Sequence, residues 1–242
     1  MRTELSDSER NCSGVSLRLC ASAVKHFSHA VPAEEITLVF GGLPVRIWRA
    51  AELERFVDAE ALLRDEAAPE PPYWMHLWPG ALAAAGSIAG AAEVGPGTRV
   101  LEFGCGLGLP ALVAAQRGAT VLASDWQRAP LAFVQRSAAA NGCSVAVAQM
   151  DWSAPALRGQ FDLCVGADVG YDAVAEVGLV AALDQLVAPG GAVCLADSVN
   201  TARDSLAARL MAVGFSVDVR AVQEREDGRP VWVRIISARR RA

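Results

Sequence analysis

From about residue 73 onward, short apolar runs alternate with alanine-rich stretches of helical spacing, and this rhythm constrains the chain more than any other feature. The runs Thr98–Phe103, Ala119–Ser124, Ser144–Gln149, Phe161–Ala167 and Ala192–Ala196 read as strands. Gly80–Val94, Leu109–Gln116, Ala129–Ala140 and Ala173–Val187 read as helices, the last stopping before Pro189-Gly190-Gly191. A further helix is expected over Thr201–Val213, where Thr201 and Asp204 form a capping box. Such alternation predicts an α/β fold, a doubly wound, Rossmann-like, mostly parallel sheet with helices on both faces. The rhythm breaks at the end. Phe215–Val222 and Val231–Ser237 are separated only by the polar turn Glu224–Arg229, and a short turn joins antiparallel neighbours. The expectation is therefore a seven-stranded sheet with an antiparallel last strand.

The preceding residues follow other rules. Residues 1–30 show no periodicity, and residues 31–72 form a separate extension. In it, Ile36–Phe40 and Leu43–Trp48 flank Gly41-Gly42, which predicts a β-hairpin. Ala51–Glu66 has helical spacing and is ended by the prolines of Ala67–Pro72. This hairpin and helix form a candidate lid over a main domain spanning residues 73–242.

Composition narrows the function classes. Hydrophobic residues are 52% and charged residues 20%, which excludes a disordered chain. No apolar run approaches the ~20 residues that cross a bilayer, so no membrane span is expected. The net charge of -5 argues against a nucleic-acid partner, because duplex binders carry the opposite balance. The six cysteines include no CxxC pair, and no His/Cys cluster has zinc-ligand spacing, so no metal is expected. Cys164 and Cys194 lie in apolar strand runs, and buried free thiols fit a reducing, cytoplasmic setting.

The chemistry-bearing residues gather at strand ends. The first strand of the main domain runs into Glu102-Phe-Gly104-Cys105-Gly106-Leu-Gly108 and then a helix. Glycines there let the backbone approach a ligand and aim N–H groups at it. The spacing is Gly-x-Gly-x-Gly, whereas the dinucleotide fingerprint needs a glycine at position 109, where this chain has Leu. That lowers the nicotinamide-cofactor reading. Asp125 ends the next strand, about twenty residues on, where an acid accepts from ribose hydroxyls. Asp151 ends the third strand and suits an adenine amino group. Trp126 and Trp152 follow these acids, each with a flat face on which a base stacks.

Glu102–Gly108, Asp125 and Asp151 on consecutive strand ends resemble the class I, seven-strand methyltransferases that use S-adenosylmethionine. Two further motifs resemble methyltransferase family 16, the branch of protein lysine methyltransferases and nicotinamide N-methyltransferase-like proteins. One is Pro72-Tyr73-Trp74-Met-His76-Leu-Trp78-Pro79-Gly80, closest to the electron-transfer-flavoprotein lysine methyltransferases, and the other is Asp168-Val-Gly-Tyr171. After the fifth strand those enzymes continue with an Asp-Pro-Gly-Arg stretch, where this chain has Asp197-Ser-Val-Asn200. The resemblance implies a cofactor, S-adenosylmethionine, leaving as S-adenosylhomocysteine. It implies that Glu102, Gly104 and Gly106, with Cys105 and Gly108 in the same loop, hold the methionine end. Asp125 would hold the ribose, Asp151 the adenine amino group, and Trp78 would line the pocket. Asp168 and Tyr171 would act beside the methyl group, with Tyr73, Trp74 and His76 on the substrate side.

The expected reaction is an in-line displacement in which the protein mainly aligns the acceptor. The first acceptor class is a lysine side chain of a protein, whose ammonium Asp168 would orient and whose charge the aromatic faces would contact. The alternative is a small molecule with an amine, hydroxyl or carboxylate. A third reading is a non-catalytic protein that binds the cofactor and a partner. His76 is read as a packed rim residue rather than a base, and His26 and His29 fall in the unpatterned N-terminus.

Overall fold

The computed structural model describes residues 33–51, 72–199 and 204–241. Residues 52–66 of the expected helix, Thr201 of the expected capping box, Cys12, Cys20, His26 and His29 lie outside them.

Nine strands and five helices are described. The hairpin is β1 (Ala33–Phe40) and β2 (Leu43–Ala50), paired antiparallel across Gly41-Gly42. Both glycines have positive φ, 56° and 87°, the left-handed pair that a two-residue hairpin turn requires. A single 3-10 turn, Tyr73–Met75, leads into α1 (Pro79–Gly90). Then come β3 (Arg99–Phe103), α2 (Leu109–Gln116), β4 (Thr120–Asp125), α3 (Ala129–Ala140), β5 (Ala146–Gln149) and β6 (Phe161–Ala167). The chain ends with α4 (Ala173–Leu186), β7 (Val187–Ser198), α5 (Asp204–Ala212), β8 (Phe215–Glu226) and β9 (Arg229–Arg240). Helices α1, α2 and α3 all begin with proline in the first turn, where a missing N–H is harmless and the fixed φ suits a helix.

The main sheet has the order β5-β4-β3-β6-β7-β9-β8. All neighbours are parallel except β9, which is antiparallel to both β7 and β8. This is the expected seven-stranded sheet with its last strand reversed. The central strands β3, β4, β6 and β7 bury both faces, as strands of a covered parallel sheet do, whereas the edge strand β8 is largely exposed. Val100, Val121, Ala123 and Val165 face a core built with α1, α2 and α3. Leu101, Phe103, Cys164 and Leu195 face a second core built with α4 and α5.

Several boundaries differ from expectation: α1 ends at Gly90 rather than Val94, β1 starts at Ala33 rather than Ile36, β5 starts at Ala146 rather than Ser144, and further changes fall in the last three strands. Strand β7 starts at Val187 rather than Ala192, because Pro189-Gly190-Gly191 forms a bulge inside the strand instead of a loop before it. There β7 advances from Val187 to Ala192 while β6 advances only from Phe161 to Leu163. The last two strands run twelve residues each, and the turn shrinks to Asp227-Gly228. Those two residues have φ of 48° and 78°, so a tight hairpin turn replaces the broad polar loop.

The β1–β2 hairpin forms a third layer on the outer side of α2 and α3. Asn141 fixes it: its Oδ1 accepts from Arg46 N at 2.8 Å and its Nδ2 donates to Arg46 O at 2.6 Å. Ser137 Oγ accepts from Trp48 N at 2.9 Å, and the Arg136 guanidinium lies 3.4 Å over the Trp48 ring. Covered on two sides, α2 is buried from Leu109 to Ala115, which explains a helix with no polar face.

Candidate active site

The parallel strands bring the expected site residues to one edge. A cleft of 370 Å³ opens at the carboxyl ends of β3, β4 and β6, within the ~300–1,000 Å³ range of small-molecule sites. Its floor is the loop Gly104–Gly108. Gly104, Gly106 and Gly108 have φ of 56°, 47° and 70°. A Cβ on Gly106 would sit 3.3 Å from the Trp74 carbonyl oxygen, and one on Gly108 would sit 2.6 Å from Val134 Cγ2. The loop thus needs glycine for both conformation and space.

Asp125 braces this loop. Its Oδ2 accepts from Gly106 N at 3.1 Å and its Oδ1 from Gln127 N at 2.9 Å. Burial raises its pKa, and these N–H donors oppose the rise. Glu102 sits behind the loop and does not line the cleft. It is 1% exposed, and its Oε2 accepts from Ala111 N at 2.9 Å, in the first turn of α2. Burial, with a smaller push from Asp125, raises its pKa to about 8 against the bond from Ala111.

The wall opposite the glycines is aromatic. Trp74 is buried against Phe133, ring centroids 5.3 Å apart. Trp78 Nε1 donates to Tyr73 O at 2.9 Å, which closes the segment into a compact turn. The His76 ring meets the Trp78 ring edge-on at 4.6 Å, and Nε2 lies 2.9 Å from Glu226 Oε1. Trp152 packs beside Gly104, its Nε1 donating to Ala175 O at 3.2 Å. Tyr73, Trp126 and Tyr171 stand more than half exposed at the rim.

Asp168 lies at the far end of the cleft with φ of 51°. Both carboxylate oxygens accept from backbone: Oδ2 from Gly80 N and Oδ1 from Ser198 N, each at 2.8 Å. It therefore ties the start of α1 to the end of β7. Burial raises its pKa, those bonds oppose, and Glu226 adds to the rise. Behind it, Asp197 accepts from Gly170 N at 2.8 Å and is raised to about 6, chiefly by burial.

Of the expected residues, Tyr73, Trp74, His76, Trp78, Gly104, Cys105, Gly106, Gly108, Asp125, Trp126, Trp152, Asp168 and Tyr171 line the cleft. Asp151 does not. It is exposed, and its Oδ1 accepts from Ser153 N and Oγ at 2.8 and 2.7 Å, bonds that lower its pKa. The turn it closes points the carboxylate at Ser153, so the adenine-side role expected of it is not supported by this geometry. Sequence reasoning missed Gln127 and Asp172, which line the cleft, and Glu226, which reaches His76 from β8. A polar residue after a strand-end acid was a usable signal for Gln127; nothing local marked Glu226. A larger groove of 990 Å³ lies at the opposite edge of the sheet, beside Pro189–Gly191, and contains none of these residues.

Residues 100–191 match the family model of a methyltransferase domain. The matched stretch runs from the first strand of the glycine loop through the bulge of β7. The chain is 34% identical over 101 residues to the ubiquinone biosynthesis O-methyltransferase of Pseudomonas aeruginosa (strain LESB58), covering 41% of this chain and 44% of that protein. It thus spans less than half the length of the curated relatives it matches. Among solved structures, the 16S rRNA N2 G1207 methyltransferase of T. thermophilus, in complex with AdoMet and guanosine, aligns with a TM-score of 0.58 at 19% identity, over 86% of this chain and 51% of that one. Magnesium protoporphyrin IX methyltransferase of Synechocystis PCC 6803, with bound SAM, aligns at 0.55 and 22% identity, over 66% and 77%. At these identities the structural likeness establishes the Rossmann-like fold. The domain match reaches methyltransferases in general and not the family 16 branch.

Proposed function

We propose that this chain is an S-adenosylmethionine-dependent methyltransferase acting on a small-molecule acceptor. The observation that carries the reading is the glycine loop braced by Asp125 at the carboxyl edge, in the stretch that matches the methyltransferase domain. The residues present fit that cofactor. Gly104, Gly106 and Gly108 hold the loop at positive φ, a conformation that lets its backbone approach a ligand, Asp125 offers a strand-end carboxylate, and Trp126 and Trp152 offer faces for a base. Bound there, S-adenosylmethionine supplies a methyl group activated by its sulfonium charge.

The chain's residues do the positioning. The Gly104–Gly108 backbone and Asp125 hold one side of the cleft, and Trp74 and Trp78 close the other and exclude water. One observation favours a small acceptor: the curated relatives are named as ubiquinone biosynthesis O-methyltransferases. Asp168, which the lysine reading needs as an ammonium ligand, already braces Gly80 N and Ser198 N, much as Asp125 braces the glycine loop. The lysine reading rests on the family 16 motifs alone. The net charge of -5 runs against an RNA acceptor.

Calorimetric titration with S-adenosylhomocysteine, with NADH as control, tests the cofactor class. Micromolar binding of the first and none of the second is expected. Asp125→Asn should weaken that binding by about tenfold or more, the scale of one lost charge-assisted hydrogen-bond acceptor. A protein that ignores S-adenosylhomocysteine would sink the proposal.

A further inference from the structure

The C-terminal hairpin overshoots the sheet. The β7–β9 pairing ends at Ser198 opposite Val233, but β8 and β9 stay paired to Glu226 opposite Arg229. Those four further residues carry the hairpin roughly 13 Å past the last β7 partner. Strand β8 is parallel to β7, so its far end lies at the carboxyl edge, beside the cleft. This projection sets Glu226 Oε1 2.9 Å from His76 Nε2. His76 itself lines the cleft, with its ring fixed edge-on against Trp78. A carboxylate accepts, so Nε2 carries the hydrogen and Nδ1 of the neutral ring keeps a lone pair.

We propose that His76 is a catalytic base for an acceptor hydroxyl, and that Glu226 is its positioning residue. The proposal rests on the methyltransferase reading and narrows its acceptor to a hydroxyl that still carries its proton. The acceptor O–H proton passes to Nδ1 of His76. The freed oxygen lone pair forms the new O–CH3 bond, while the methyl–sulfur bond breaks and leaves its electron pair on sulfur. Glu226 holds the resulting imidazolium until its proton passes to water. The pair has the parts of an oriented-histidine base, a ring that lines the cleft with one nitrogen held by a carboxylate and the other left to take a proton.

The test compares two probes at pH 8: phenol, which keeps its proton, and 4-nitrophenol, which is largely ionised. His76→Gln should lose about 10²–10⁴-fold in methyl transfer to phenol and no more than about threefold to 4-nitrophenol. Glu226→Gln should lose about tenfold on phenol alone, and Glu226→Asp should regain part of it. A residue that only supports the fold would depress both probes equally, and that result would overturn the base. The second readout needs no turnover. In the imidazole ¹⁵N spectrum the His76 signal, identified by its loss in His76→Gln, should show Nε2–H in the neutral ring. Glu226→Gln should turn it into a mixture of tautomers, and an unchanged spectrum would overturn the positioning role. If the protein binds S-adenosylhomocysteine yet methylates neither probe, the hydroxyl acceptor and its base fall together. If it does not bind S-adenosylhomocysteine, the methyltransferase reading itself fails.

Discussion

Glu102 and Asp151 are both acids at or near strand ends, and the fold uses them in opposite ways. Glu102 is buried behind the glycine loop, where its carboxyl accepts from Ala111 N and its pKa is raised from 4.5 to about 8. A raised folded-state value means that folding favours the protonated form. Between pH 4.5 and about 8 the folded chain therefore holds more protons at this site than the unfolded chain. The stability from neutral Glu102 is complete below pH 4.5 and is lost as pH rises toward about 8, with a slope of at most about 1.4 kcal/mol per pH unit for one proton. Glu102→Gln keeps the acceptor for Ala111 and cannot ionise. Urea unfolding at pH 6 and pH 8 should show the wild type losing stability across the interval and the variant holding it; parallel losses would refute the assignment. Asp151 shows what the sequence left out. Its place after a strand was legible, but the serine two residues later competes for the carboxylate and turns it from the cleft. Asp125 makes the same bond to the amide two residues on, Gln127 N, but meets no hydroxyl side chain there, and its Oδ2 accepts from Gly106 N.

At the scale of elements, α1 and β7 meet with no room between them. A Cβ on Gly80 would fall on the Ala196 carbonyl oxygen and the Asp168 carboxylate. Gly80→Ala should push α1 from the sheet, break the Gly80 N–Asp168 bond and cost about 1–3 kcal/mol or more. Thermal unfolding checks this, and a variant as stable as wild type would show that the helix can slide without cost. Most elements were legible because their periodicity is local: strands of four to eight residues and helices that open with proline. The misses share one cause. Whether Pro189-Gly190-Gly191 is a loop or a bulge depends on the register of β7 against β6, which lies in another part of the chain. The same holds for the length of the β8–β9 hairpin. Val231-Trp232 looked like the start of a strand, yet pairing with Gln223 and Glu224 carries both strands on to the Asp227-Gly228 turn.

At the scale of the whole molecule, the helix layer α1–α3 lies between the main sheet and the β1–β2 sheet. None of residues 33–51 lines the cleft, so this part of the candidate lid is bound to the back of the helix layer. The division separates stability from ligand contact. The hairpin covers α2 and α3, whose buried faces support the glycine loop from behind through Leu109 and Val134. Asn141 is the joint, bonding Arg46 in both directions while also accepting from Gln116 Nε2 at 3.2 Å. Asn141→Ala removes these bonds and leaves the Arg46 backbone groups to water, a loss of about 1–3 kcal/mol. Hydrogen exchange should then quicken at the β2 amides facing α3, led by Arg46 and Trp48, while the β3 and β4 amides keep their protection. Affinity for S-adenosylhomocysteine should stay within about twofold, because the lost bonds lie on the far side of α3 from the cleft. Exchange that quickens in β2 and in the central strands together would mean that the hairpin and the main sheet unfold as one unit, and the three-layer division would not describe the energetics of this protein.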